Sequence, residues 1–267
     1  IDAAQMRFIT RLFASLGIAG LLAPGQMLAA LGATGLLIFG AIVTYRLGLA
    51  LFGESRVHLL TNPASLSLLL PVYTILIALK DEAACMPQLS DSLMSLEYPR
   101  HLLDVKLLLE TGDDETKNAI HAQIWPEGTE LLVLPPGTPQ TKPRALNYGL
   151  SRARGAFVTV FDAEDRPNPG QLMEAARRFA WDPDLECVQA PLSGNVRAGS
   201  WLSRHWALEY AIQFNRLMPA LARLGMPMPL GGTSNHFRRT ALLATGGWDA
   251  WNVTEDADLG LRFARLG

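Results

Sequence analysis

Residues 158–169 read VTVFDAEDRPNP: an apolar run, then three acids within four positions, Asp162, Glu164 and Asp165, then Pro167 and Pro169. An apolar run of this length, bounded by turn residues, is what a short buried strand looks like. Carboxylates gathered at its end have two readings. They form a metal site, or they form a solvated strand-to-helix turn in which Asp165 caps and the prolines shape the approach to the next helix.

The flanking sequence repeats the pattern. YTILIALK (73–80), VKLLLE (105–110), TELLVL (129–134), AFVTVF (156–161) and ECVQA (186–190) read as strands, and helical periodicity fills 87–96, 115–123, 143–153 and 170–180. Such alternation predicts an α/β fold: a mixed, mainly parallel sheet with helices on both faces, which binds ligands beyond the carboxyl ends of its strands. The residues there are Lys80-Asp81-Glu82, Glu110-Thr111-Gly112-Asp113-Asp114 and Asp162-Ala163-Glu164-Asp165, so acids are expected to converge on one edge. Neither GxGxxG nor GxxxxGK[ST] occurs in this region. Carboxylates around a phosphate repel it unless a hard cation such as Mg2+ or Mn2+ lies between them, so the edge points to a metal-bound nucleotide.

The amino-terminal part is of another kind. Of the 267 residues 49% are hydrophobic, and Met27–Tyr45 runs 19 residues without a charge, enough to cross a bilayer as a helix. Leu12–Ala23 is a shorter apolar stretch, cut off by Pro24-Gly25-Gln26, and fits either the first span of a hairpin, the preferred reading, or an interfacial segment. A buried core helix is the alternative for 27–45. The run lies too far into the chain, without a small-residue cleavage site, for a signal peptide. Arg46 and Arg56 after it place the following segment on the cytoplasmic side. The expected division is thus a membrane segment over 1–53, a linker over 54–71 that contains Thr61-Asn62-Pro63, and a globular domain over 72–267. A formal net charge of -2 carries no basic field, which disfavours nucleic acid as a partner. Cys85 and Cys187 lack metal-ligand spacing and fit reduced structural thiols.

ALKDEA (78–83), LLLETGDDE (107–115), KPRALNYGL (142–150), FDAEDRPNP (161–169), GGTSNHFRR (231–239) and GGWDAWNVTEDADLGLR (246–262) together resemble the family 2 glycosyltransferases with a GT-A fold, in particular their membrane-bound, cellulose-synthase-like branch. The resemblance implies inverting transfer of a sugar from a nucleoside diphosphate, usually UDP, to a glycan or lipid-linked acceptor. It further implies membrane lipid around the anchor, a catalytic domain on the cytoplasmic face of the inner membrane, and a part in cell-surface polysaccharide synthesis. It assigns Glu110 to the nucleotide base, Glu82 to the same pocket, and Lys142 to the donor nucleotide. Asp162 faces nucleotide and metal, and Glu164, where the family prefers aspartate, ligates Mg2+ or Mn2+, which leaves open how it divides that work with Asp165. Asp256 of Thr254-Glu255-Asp256 is the general base, with Glu255 beside it, and Asn235 and His236 lie on the acceptor side. Processive members carry a Gln-x-x-Arg-Trp motif and more transmembrane helices further on. The chain reaches Gly267 before either and begins at Ile1, so a fragment truncated at its carboxyl end is expected. The alternative function is a non-catalytic membrane interaction or assembly protein that kept the fold. A nucleotidyltransferase does not account for GGTSNHFRR followed by the acidic helix.

Several of these residues also have plainer readings. Thr254 reads as a helix N-cap with two acids behind it; the helix dipole lowers the pKa of Asp256 whereas burial beside Asp258 raises it, and the sequence leaves the sign open. Lys142 alone reads as a surface lysine, and His236 as a satisfied histidine in a strand. Trp201, Trp206, Trp248 and Trp251 fit sugar stacking or simple core and interface packing. Ser200–Leu224 fits a membrane-surface helix or one packed on the sheet.

Overall fold

The computed structural model describes residues 2–52, 70–194 and 200–266 and divides into two compact units, Ile1–Gly53 and Glu54–Gly267. In the first, α1 (Ala3–Leu22) and α2 (Pro24–Phe52) are joined through Ala23 alone. Proline suits the first turn of α2 because its fixed φ is helical and no N–H is needed there. Met27 Sδ lies 2.8 Å from where a Cβ on Gly20 would stand, so a glycine lets the helices touch near the turn. Among the described residues α2 is the one helix long and apolar enough to cross a membrane, over Pro24–Leu51. α1 does not meet that standard: the apolar stretch at Leu12–Ala23 continues a longer helix that carries Arg7 and Arg11. Of the linker expected over 54–71, all but residues 70–71 lie outside the described residues.

In the second unit, β1 (Tyr73–Leu79), β2 (Leu103–Leu109), β3 (Thr129–Val133), β4 (Phe157–Val160), β5 (Cys187–Gln189) and β6 (Asn235–Arg238) form one sheet in the order β3-β2-β1-β4-β6-β5. β1 pairs in parallel with β2 and β4, β2 with β3, and β6 runs antiparallel to both β4 and β5. This is a mixed, mainly parallel α/β sheet of GT-A type. Side chains alternate between two cores, as the pleat requires. Tyr73, Ile75, Ile77 and Leu79 face one core, with Leu89 of α3 (Met86–Met94), Ile120 of α4 (Asp114–His121) and Phe179 of α6 (Gln171–Trp181). Leu76, Leu108, Val158 and Phe237 face the other, with Leu146 of α5 (Lys142–Leu150), Leu242 of α9 (Arg239–Ala244) and Leu259 of α10 (Glu255–Leu266). β1 and β2 are covered on both faces, which is why β1 reads as a nearly continuous apolar run; β2 buries Asp104 and Lys106 as an ion pair among its apolar residues.

Between β5 and β6 lie α7 (Trp201–Ile212), a π-helical turn over Gln213–Leu217 and α8 (Met218–Arg223). Along this stretch Trp201, Leu202, Trp206 and Leu208 are exposed, whereas Phe214, Leu217 and Met218 are buried, so its later part packs on the domain.

From β1 the chain builds outward to β2 and β3, then returns to place β4 on the other side of β1. Open α/β sheets bind ligands where strand order reverses in this way. Because β6 is antiparallel, its amino end brings Gly231–Ser234 to the same edge.

Candidate active site

Beyond the carboxyl ends of β1, β2 and β4, the residues Glu82, Glu110, Asp162 and Glu164 line one cleft of about 290 Å3, together with Lys80, Thr141 and Lys142. A cavity of about 390 Å3 at the opposite edge has Pro71, Phe157, Phe179 and Arg238 in its wall and no acid, so carboxylate chemistry belongs to the first.

Lys142 opens α5, and its ammonium joins two elements: Nζ is 2.5 Å from Asp162 Oδ1 and donates at 2.6 Å to the Gly232 carbonyl. Arg144, two residues further along, donates from Nη1 to both oxygens of Glu110 at 3.2 Å and from Nη2 to the Pro135 carbonyl. Glu110 is only 6% exposed and is therefore a paired, largely buried carboxylate. Arg144 was not singled out in the sequence, although it stands inside KPRALN, two residues after Lys142.

The strand-end acids do not all converge. Asp113 caps α4, accepting from Thr116 N at 3.0 Å and Asp81 N at 2.7 Å. Burial alone would raise its pKa, but these backbone donors outweigh that and hold it below the usual carboxylate range. Asp165 also turns away from the cleft: Oδ2 accepts the Asp162 N–H at 2.7 Å and the Thr233 hydroxyl. Burial raises its pKa, against the pull of those donors. Glu164 is exposed, its carbonyl held at 2.8 Å by Gln88, which also accepts from Arg166. Among the described residues no group of three or more His, Cys, Asp or Glu is arranged to hold a metal ion. Of the acids in VTVFDAEDRPNP, Asp162 and Glu164 line the cleft.

Asp256 lies at the neighbouring wall. It is the second residue of α10 and 8% exposed, and its Oδ2 is 3.4 Å from where a Cβ on Gly232 would stand. The sign left open by the sequence is settled by burial, which pushes its pKa up to about 6; Lys142 opposes the rise, while Glu255 and Asp162 add to it. Asp258 has no part in this, being paired at 2.7 Å with Arg262. The Thr254 hydroxyl bonds to Asn252 Oδ1. Glu255 is nearly buried beside Asp256.

The expected acceptor-side pair separates from this centre. His236 is 0% exposed, with Nδ1 2.7 Å from the Tyr73 hydroxyl and Nε2 3.0 Å from Gln171 Nε2, and burial depresses its pKa to about 3. It is a neutral core residue with both nitrogens engaged, so no sugar hydroxyl reaches it. Asn235 is also buried; its Nδ2 donates to the Gly231 carbonyl at 2.5 Å, bracing the loop that carries Gly232.

A family model described as glycosyltransferase like family 2 matches residues 71–267. The chain belongs to this family. Among family 2 relatives, the chain is 29% identical over 196 residues to the beta-monoglucosyldiacylglycerol synthase of Trichormus variabilis, covering 72% of this chain and 41% of that protein. It is 24% identical over 189 residues to the poly-beta-1,6-N-acetyl-D-glucosamine synthase of Staphylococcus aureus, covering 68% and 43%. The chain therefore spans less than half the length of these relatives. The mannosyltransferase PcManGT from Pyrobaculum calidifontis, solved with GDP-Man and Mn2+, superposes with a TM-score of 0.64 at 21% identity, covering 88% of this chain and 63% of that one. TarS of S. aureus, solved with UDP-GlcNAc, superposes at 0.53 and 13% identity, covering 72% and 53%. At such identities these two show the shared GT-A fold.

Proposed function

We propose that this chain is the donor-binding and catalytic part of a membrane-anchored, inverting glycosyltransferase that moves a sugar from a nucleoside diphosphate, UDP in the first instance, to a hydroxyl acceptor. The observation that carries the reading is the double contact of Lys142. One ammonium holds Asp162 in the strand-end cleft and the Gly232 carbonyl beside the raised-pKa Asp256, so the donor side and a proton acceptor meet across one residue.

In this scheme Glu82, Glu110, Lys142, Asp162 and the amino end of α5 receive the nucleotide and diphosphate, since helix amino termini favour phosphate. Glu110 and Arg144 hold one another and shape the far wall. Asp256 takes the acceptor hydroxyl proton as that oxygen bonds to the anomeric carbon, while the bond to the diphosphate breaks and its electron pair leaves with the phosphate oxygen. Attack from the side opposite the leaving group inverts the centre. Asp162 and Glu164 form an all-oxygen pair, which suits a hard cation that takes its remaining ligands from diphosphate and water, Mg2+ or Mn2+. Such an ion would supply charge neutralisation on the departing diphosphate.

α2 provides the anchor, with the domain on the cytoplasmic side of the inner membrane. The acceptor is a glycan or a lipid: one relative's name is that of a diacylglycerol glycolipid synthase and another's that of a polysaccharide synthase. The test is sugar transfer by the full-length protein in membranes, with UDP- and GDP-sugars and Mg2+ or Mn2+. Transfer is expected from wild type and abolished in Asp256→Asn with nucleotide binding retained. Transfer by the variant would remove Asp256 as the base; absence of both transfer and nucleotide binding in wild type would favour the non-catalytic assembly role.

A further inference from the structure

Trp248 is 2% exposed, and its indole Nε1 is a buried donor that, among the described residues, reaches hydrogen-bonding geometry to no protein atom. A buried N–H without a partner is costly, and native folds retain few of them. The rest of the residue is held firmly. Asn147, the last residue of KPRALN, brackets its peptide: Nδ2 donates to the Trp248 carbonyl at 2.6 Å and Oδ1 accepts the Trp248 N–H at 3.0 Å. Its ring stands edge-on to Phe237, centroids 5.9 Å apart at 86°. Gly247 before it has φ +71 and runs against the same Asn147 side chain, a position where any Cβ would collide. The indole stands short of hydrogen-bonding geometry to Asp256 but near enough to favour that carboxylate's charged form.

We propose that Trp248 is a positioning residue for Asp256: the Asn147 bracket and the Phe237 contact hold its indole so that the unpartnered N–H is available to the Asp256 carboxylate, fixing that carboxylate's rotamer with an oxygen toward Gly232 and the incoming hydroxyl. The inference rests on the reading of Asp256 as the base. The other charged groups that act on Asp256 are Lys142 of α5, Asp162 beyond β4 and Glu255 of its own helix; each acts through charge, whereas the indole adds direction. A carboxylate with one oxygen held by a donor presents the other in a defined orientation, the requirement for accepting a proton in the transition state.

The experiment compares wild type, Trp248→Phe, Asp256→Asn, and a protein with 3-benzothienylalanine, an indole isostere without the N–H, at position 248. Each is assayed for transfer against pH at one saturating Mg2+ concentration. Both N–H deletions are expected to lower kcat about tenfold at unchanged donor KM and to move the acid limb of the profile up by about one pH unit, the effect of losing one donor to a carboxylate. A loss of rate with an unmoved limb would assign Trp248 a merely structural role and overturn the proposal, as would loss in Trp248→Phe but not in the isostere, or no loss in either. Transfer by Asp256→Asn would instead show that the base reading failed.

Discussion

Asp256 offers the sharpest test, because one physical cause has two readouts. The carboxyl is almost fully enclosed, and burial raises its pKa from the ordinary aspartate range to about 6 even though Lys142 pulls the other way. As a base it works only when ionised. With a pKa of about 6 it is roughly 90% ionised at pH 7 and roughly 10% at pH 5, so kcat/KM should fall about ninefold to tenfold between them. An unshifted carboxyl would lose only about 5% over that interval. The same shift acts on stability. Because the folded pKa lies above the unfolded one, ionisation disfavours the fold: nothing is lost below about pH 3, where both states are protonated, and the cost grows until about pH 6 and stays constant above it. A rise of this size corresponds to about 3 kcal/mol. Asp256→Asn removes the titration, so its unfolding free energy relative to wild type should increase by up to about 3 kcal/mol between pH 4 and pH 8, while transfer is lost. Initial rates of radiolabelled sugar transfer give the first readout, and denaturant unfolding of the full chain in detergent at several pH values gives the second. An acid limb near pH 4, or a stability difference independent of pH, would refute the reasoning.

Glu164→Ala should weaken Mg2+-dependent UDP binding by about tenfold in calorimetry and leave metal-free binding unchanged; indifference to both metal and substitution would exclude the proposed cation site. Asp104→Ala should destabilise the domain by about 3 kcal/mol, because it strips Lys106, 1% exposed and 2.9 Å away, of one of its two carboxylate partners and removes the acceptor of Thr74 and Arg154. Burial would raise the Asp104 pKa, but donors from Arg154, Lys106 and Thr74 bring it below the usual carboxylate value, so its contribution is in place above the ordinary carboxylate range and is lost only in stronger acid. The deficit should therefore be equal at about pH 5 and pH 8 in urea unfolding. Gly247→Ala should cost about 1–3 kcal/mol and lower transfer, since it strains a left-handed position and pushes on the Asn147 bracket of Trp248; full activity would show that the bracket is dispensable.

The sheet was legible because its central strands are covered on both sides. ILIAL and LLL run apolar without alternation, and each stops in a polar turn, so five strands and four of the helices could be placed to within a few residues. β6 was not among those five runs: only four residues long, it combines a buried Asn235, a buried His236 and Arg238, and its strand character comes from pairing with β4 and β5. α1 began earlier than its apolar stretch because Met6, Phe8 and Ile9 extend the helix past two arginines. His236 shows the corresponding limit for function. The resemblance of GGTSNHFRR to an acceptor-side segment implies a shared role for Asn235 and His236, but a strand sends neighbours to opposite faces, and the partner that engages the His236 Nδ1 is Tyr73, 163 residues away.

The same limit explains the acids of VTVFDAEDRPNP. Spacing alone treats Glu164 and Asp165 as equivalent candidates, one residue apart on a turn. Two long-range contacts separate them. The Thr233 hydroxyl, from the loop that enters β6, takes up Asp165 Oδ2, which also closes the turn onto the Asp162 N–H. Gln88 from α3 holds the Glu164 carbonyl and leaves that residue exposed at the cleft. Asp165 cannot turn outward without releasing both the Asp162 backbone and the Gly231–Ser234 loop that meets Lys142 and Asp256. Asp165 thus braces the two halves of the site through Oδ2, and Asp162 and Glu164 are the acids of this turn that line the cleft.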